Sequence, residues 1–302
     1  METQTPAKAS KLHGTSQPAL NDFKAKAFEN GPALWLANYP WPNRDGNKYQ
    51  RGHVLVLGGA EMTGASRLAA RAALRIGAGV VTLAAPRAAW QVYAASLISV
   101  IVEAVDGIED YKRLLEDERH NALIVGPGAG VGEHTQQAVL AALATRRSVV
   151  LDADAITSFE SHRNQLFSAI QGACVITPHE GEFQRLFDVT GDKLVRACAA
   201  AKQSGAVIVL KGRDTIIAAP NGRAIINSNA PPYLATAGSG DVLAGFIGGL
   251  LAQGLAPFES AAAAVWLHGE VATEFGEGLI AEDLTEVLPK ILQRLKTLSD
   301  AT

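Results

Sequence analysis

One pattern constrains the fold of this chain most: a short, wholly apolar run that ends in glycine or in a polar cluster, repeated along the sequence. His53-Val-Leu-Val-Leu57 runs into Gly58-Gly59, and 122–125 into Gly126-Pro-Gly-Ala-Gly130. Residues 148–151 lead to Asp152-Ala-Asp154, 173–176 to Thr177-Pro-His-Glu-Gly-Glu182, and 206–210 to Lys211-Gly-Arg-Asp-Thr215. Val80-Val-Thr-Leu-Ala84 is a further run of the same kind. Short runs that are apolar throughout read as strands buried on both faces. Between them lie helical stretches: 64–76, with Leu68, Ala69, Ala72, Ala73 and Ile76 on one face, and others near 134–145, 181–187 and 193–204. Alternating strands and helices predict an α/β fold with a central, mostly parallel sheet and helices on both faces. Further on, 215–218 and 223–227 flank Pro220-Asn221-Gly222, a hairpin signal, and the remainder reads as helical from 240 through about 275 and near 284–297.

No linker or shift in composition follows residue 50, so 21–302 is expected to form a single domain behind a polar, disordered tail at 1–20. Residues 21–50, with Trp35, Tyr39 and Trp41, read as an irregular arm anchored by aromatics to the body or to a neighbouring subunit. A net charge of −3 gives no basis for a nucleic-acid surface. Cys174 and Cys198 sit apart in apolar runs and read as buried thiols. No apolar run reaches the length of a membrane span, and the first twenty residues lack the apolar core of a secretory signal, so the cytoplasm is the expected compartment.

In open α/β sheets, ligands bind at the carboxyl ends of the strands. Clusters at successive strand ends should therefore converge on one crevice, which argues for an enzyme or a small-molecule binder. Downstream, Thr236-Ala-Gly-Ser-Gly-Asp241 is a loop of small residues. Val242, Leu243, Phe246, Ile247, Leu250 and Leu251 follow at helical spacing, so an amphipathic helix is expected from about Ser239. A glycine loop feeding a helix N-terminus is an anion site, because the first N–H groups have no partner within the helix. Asp241 would repel an anion there unless it has a task. It suits a general base that takes the proton from a hydroxyl under phosphoryl attack; the alternative is a plain helix cap.

Lys211 and Thr215 offer a charge and a hydroxyl to a phosphate, with Gly212 between them; the alternative is a solvated strand end. No Walker spacing of glycines precedes Lys211, and Gly58-Gly59-Ala60 falls short of a dinucleotide fingerprint. Glu182 suits a carboxylate that holds a water on Mg²⁺, and His179 a hydrogen bond to substrate; the alternative is an acidic, well-capped helix start. Asp152 and Asp154 read mainly as residues that order loops, with the metal shell as the alternative, and His268, on an alanine-rich helix, as a packed core residue.

In this order the motifs resemble those of the ribokinase-like superfamily, and most closely the ADP/ATP-dependent NAD(P)H-hydrate dehydratases, the family of the YjeF C-terminal domain. The resemblance spans residues 50 to about 275, from Gly58-Gly59 and Gly64-Ala65 to Gly238-Ser-Gly-Asp-Val-Leu-Ala-Gly245. Thr177-Pro-His179 is the most telling part, since sugar and vitamin kinases of the superfamily usually carry Asn where His179 stands. The family's usual Thr-Gly-Gly-Thr-Gly-Asp loop reads Thr236-Ala-Gly-Ser-Gly-Asp241 here, which leaves the backbone N–H groups and a hydroxyl in place.

The resemblance implies repair of hydrated NADH or NADPH: a phosphoryl group passes from a nucleotide to the ring hydroxyl, then phosphate leaves. It implies Asp241 as base and Gly238, Ser239 and Gly240 as anion hole. It places Lys211, Gly212, Arg213, Asp214, Thr215 and Gly240 on the adenine nucleotide, and Ala65, Gly130, His179 and Asp241 around the hydrate. Mg²⁺, ADP or ATP as the phosphoryl donor, and a homotetramer are likewise implied, and a composition of bacterial character leans the expected donor to ADP. Many relatives carry a fused epimerase, for which the residues before 50 are too few, so any epimerase is expected to be a separate protein. The competing readings are a small-alcohol kinase of the same fold, for hydroxymethylpyrimidine or hydroxyethylthiazole, and a non-enzymatic nucleotide sensor.

Overall fold

The protein is described from a computed structural model covering residues 27–301; the expected tail at 1–20 lies outside the described residues. Among the described residues, ten strands form one sheet in the order β1-β10-β9-β8-β7-β6-β5-β2-β3-β4. These are β1 (Ala27–Glu29), β2 (His53–Leu57), β3 (Val80–Pro86), β4 (Ile101–Val105), β5 (Ala122–Val125), β6 (Ser148–Leu151), β7 (Cys174–Ile176), β8 (Val207–Leu210), β9 (Thr215–Ala218) and β10 (Ala224–Asn227). All neighbouring pairs are parallel except β8–β9 and β9–β10, the hairpin expected around Asn221-Gly222.

Because side chains alternate along a strand, each central strand feeds two cores. Val54 and Val56 of β2 join one, Leu55 and Leu57 the other. The first core is covered by α1 (Thr63–Arg75), α2 (Trp90–Ser96), α9 (Ser239–Ala252), α10 (Pro257–Phe275) and α11 (Ala281–Asp300). The second is covered by α3 (Ile108–Leu115), α4 (Glu133–Ala144), α5 (Asp154–Ser158), α6 (Arg163–Ala169), α7 (Glu180–Leu186) and α8 (Lys193–Ser204). Both cysteines are buried free thiols, and burial pushes the Cys174 thiol up to about 12. Among the described residues no helix is long and apolar enough to cross a membrane.

The structure departs from the sequence reading in four places. The arm is not wholly irregular: β1 pairs with β10 at the sheet edge. Its aromatics then pack on the chain's own body, Trp35 lying 5.7 Å from Trp266 of α10 and Trp41 Nε1 donating to Ser299 Oγ at 3.2 Å. Strand β4 escaped notice because it is an edge strand of mixed polarity, with Ile101 exposed and Glu103 at its centre. The predicted helix from 240 to 275 is two helices, broken where Gly254 takes the left-handed φ of +88° and Pro257 opens α10.

Nor is α9 amphipathic. Every residue from Val242 to Ala252 is buried, as for a helix enclosed on all sides. Close packing against α1 depends on the absence of a side chain at Gly245, where an added Cβ would lie 2.3 Å from the Ala69 carbonyl oxygen and 2.6 Å from Ala72 Cβ. Backbone cannot yield cheaply, so Gly245→Ala is expected to cost roughly 1–3 kcal/mol through overpacking, read as a lower urea midpoint. An unchanged midpoint would show that α1 and α9 can slide apart.

Candidate active site

The glycine and polar clusters meet along one edge of the sheet. Strands β8, β7, β6, β5 and β2 are consecutive neighbours and all parallel, so their carboxyl ends lie side by side. From the end of β8, Lys211 reaches across to β6, where its Nζ donates to Asp152 Oδ1 at 2.8 Å and stands 3.8 Å from Glu182 Oε2. Thr177 Oγ1, at the end of β7, donates to the same Asp152 oxygen at 2.8 Å. Asp152 is 1% exposed, so the ammonium and the hydroxyl offset the cost of burying its charge. Burial disfavours the Lys211 charge, but Asp152, Glu182 and Asp241 outweigh it and hold the ammonium above its usual range.

Helix α9 begins beside this ion pair. Its cap, Gly238, has a φ of +87°, and a side chain there would meet Leu68 Cδ1 at 2.6 Å. The first bond inside the helix runs from Val242 N–H to the Gly238 carbonyl, so the N–H groups of Gly240 and Asp241 have no intrahelical acceptor. A Cβ on Gly240 would lie 3.4 Å from Lys211 Nζ, which places the ammonium next to these donors. Asp241, on the first turn, is pushed up to about 7: burial leads, Asp152 adds to it, Lys211 opposes, and Asp154 and Glu182 add further. A carboxyl poised there at neutral pH is matched to proton transfer.

His179 caps α7. Its Nδ1 accepts from the N–H groups of Gly181 and Glu182 at 3.0 and 3.2 Å, while Glu182 Oε2 accepts from His179 N–H at 2.8 Å. Accepting at Nδ1 leaves the ring proton on Nε2, which is 3.3 Å from Glu182 Oε1. The capped helix start expected as an alternative is therefore present, with the exposed imidazole at the rim of the site. On the other side, Gly130 N–H donates to Asp154 Oδ2 at 2.9 Å, and Gly128 packs so tightly that an added Cβ would meet Ala65 Cβ at 3.2 Å. Between the two aspartates, Ala153 holds a φ of +46°, a conformation that costs a non-glycine residue about 1–3 kcal/mol. The bonds of Asp152 and Asp154 keep it there.

In the 211–215 turn the Thr215 hydroxyl is already engaged, donating to the Gly212 carbonyl at 3.0 Å, while Arg213 and Asp214 are exposed. Among the described residues no group of three or more His, Cys, Asp or Glu side chains is arranged to hold a metal ion. Both oxygens of Glu182 already face His179, so the donor set fits an ion that arrives on nucleotide phosphates and is reached through water.

The family model described as NAD(P)H-hydrate dehydratase matches residues 54–294. The chain belongs to this family. A bifunctional NAD(P)H-hydrate repair enzyme of Salinibacter ruber is 38% identical over 272 residues, covering 83% of this chain and 50% of the relative. The chain thus spans about half the length of such curated relatives. A Bacillus subtilis ADP/ATP-dependent NAD(P)H-hydrate dehydratase, co-crystallised with ATP and Mg²⁺, superposes with a TM-score of 0.79 at 30% identity, covering 89% of this chain and 99% of that one. A ribokinase-like superfamily protein of Enterococcus faecalis superposes with a TM-score of 0.78 at 26% identity, covering 89% and 96% respectively. The fold is ribokinase-like, as the motif order implied.

As a member of the NAD(P)H-hydrate dehydratase family, the chain also carries supports that sequence reasoning passed over. Lys193 threads beneath the 211–215 turn, its Nζ donating to the carbonyls of Lys211 and Asp214 at 3.2 and 2.6 Å. A lysine on the first turn of a helix opposes the dipole, a sign that it has business elsewhere. Tyr93 pins the glycine pair after β2, donating to the Gly59 carbonyl at 2.8 Å and accepting from Gly59 N–H at 3.1 Å. No pattern in the sequence around Tyr93 announces that contact.

Proposed function

We propose that this chain carries out ADP- or ATP-dependent dehydration of the S-form of hydrated NADH and NADPH. One observation carries the reading: a half-buried carboxyl pushed up to about 7, Asp241, shares the first turn of α9 with N–H donors that lack intrahelical acceptors, and the Lys211 ammonium stands beside that turn. A base, an anion hole and a cation in one place are what phosphoryl transfer to a hydroxyl requires. Asp241 takes the hydroxyl proton as the oxygen bonds to phosphorus and the nucleotide departs. The C–O bond then breaks, phosphate leaves with the electron pair, and loss of a proton from the adjacent ring carbon restores the double bond.

In this reading Gly238, Ser239 and Gly240 hold the charge of the phosphoryl group in flight. Lys211 to Thr215 and Gly240 bind the adenine nucleotide, and Lys193 supports that turn from below. Ala65, Gly130, His179 and Asp241 line the hydrate pocket. A Mg²⁺ ion would neutralise phosphate charge, with Glu182 holding one of its waters. ADP is the preferred donor in this proposal. In this proposal the assembly is a homotetramer in the cytoplasm. A kinase for small alcohols is not favoured, given the family to which the chain belongs.

The test is to incubate the protein with hydrated NADH and either nucleotide, following the absorbance of restored dihydronicotinamide. Recovery is expected with nucleotide and not without it. Nucleotide-dependent release of a phosphorylated, undehydrated product would overturn the reading in favour of a kinase.

A further inference from the structure

Helix α10 is packed with small and apolar side chains, yet His268 is buried in it at 6% exposure. Neighbouring positions hold Ala264, Val265, Leu267 and Val271, so an apolar residue would satisfy packing there at lower desolvation cost. The imidazole has a specific partner: Nε2 lies 2.9 Å from the carbonyl oxygen of Ser239, the first residue of α9. A carbonyl only accepts, so Nε2 carries the proton. The ring is steadied by Phe246, whose centroid is 6.3 Å away at an interplanar angle of 84°.

The Ser239 carbonyl belongs to the same peptide unit as the Gly240 N–H. We infer that His268 is a positioning residue for phosphoryl transfer: by donating to the Ser239 carbonyl it fixes and polarises the Ser239–Gly240 peptide, so that Gly240 N–H is aimed at the transferring group and binds it more strongly. Hydrogen bonds in a chain reinforce one another in this way in a low-dielectric setting. The inference rests on the phosphoryl chemistry proposed for the start of α9. Gly240 is the donor that matters because Ser239 N–H is turned to the Thr236 carbonyl at 3.3 Å, leaving Gly240 and Asp241 as the first-turn donors without an intrahelical acceptor. Burial holds His268 down at about 4, the Ser239 bond opposes this and Lys211 adds to it, so the ring is neutral and its tautomer constant near pH 7.

Two variants separate positioning from packing. His268→Leu keeps bulk and removes the donor; His268→Gln sets an amide N–H near the place of Nε2. In His268→Leu, kcat on hydrated NADH is expected to fall about tenfold or more, with the dissociation constant for ADP within about threefold of wild type. The downfield displacement of the Gly240 amide resonance on titration with inorganic phosphate should shrink, and Gln should restore most of both signals. If Leu prevents folding, His268→Met takes its place in the comparison with Gln. A donor-less variant with kcat and the Gly240 response near wild type would overturn the inference, as would equal losses in both variants. A wild type without nucleotide-dependent turnover would refute the dehydratase reading instead, while the phosphate titration would still decide the role of His268.

Discussion

Asp241→Asn is expected to lower turnover of hydrated NADH by about two orders of magnitude or more, the usual scale for loss of a general base, while nucleotide binding is largely kept. The same substitution should make the protein more stable. The Asp241 carboxyl sits at about 7 in the folded chain against an ordinary value of 3.8. A carboxyl whose folded pKa is raised contributes stability that is present below the unfolded value and is lost as pH rises through the folded one. Wild type and Asp241→Asn should therefore have similar urea midpoints near pH 4 and diverge toward pH 8, where the variant gains a few kcal/mol at most. In wild type, kcat/KM should rise with pH through about 7 as the base ionises, and the variant should lack this limb. Full activity in Asp241→Asn would remove it as the base. Equal midpoints at all pH values would show that its charge is well solvated.

The sheet was legible in sequence because its central strands are buried on both faces, so few polar residues, such as His53 and Thr82, interrupt the apolar runs. The same physics hid β4, whose outer side faces solvent, and β1, three residues long with Phe28 exposed. Convergence of the clusters followed from parallel neighbours sharing one carboxyl edge, and strand order brings them together without further assumption. What could not be read was how side chains pair across that edge. Asp152 looked like a loop residue; in the structure it is the buried partner of Lys211. His268 was expected in the core and is there, but its bond to the Ser239 carbonyl joins residues far apart in sequence and leaves no local trace. Thr215 illustrates the reverse, since the hydroxyl proposed for phosphate shapes its own turn.

Lys211→Met should be the most disruptive single change to the charge balance of the site. It keeps the length of the side chain and removes the cation that Asp152, Glu182 and Asp241 share. Asp152, almost wholly buried, would keep only the Thr177 hydroxyl from its present pair of side-chain donors. Leaving one partner of a buried ion pair uncompensated typically costs about 3–5 kcal/mol, so the urea midpoint should fall sharply. Asp241 would lose the Lys211 charge that now lowers its pKa, and the rise of kcat/KM should move to more alkaline pH. Nucleotide affinity should drop about tenfold or more with the loss of a charge-assisted bond. The double variant Lys211→Met with Asp152→Asn separates these effects: deleting both charges should return most of the stability and little of the nucleotide affinity. A double variant as unstable as the single one would mean that the pair is not what Lys211 contributes to the fold. An unchanged nucleotide dissociation constant would mean that the lysine serves the fold alone, and the phosphate contacts would then fall to the α9 N-terminus.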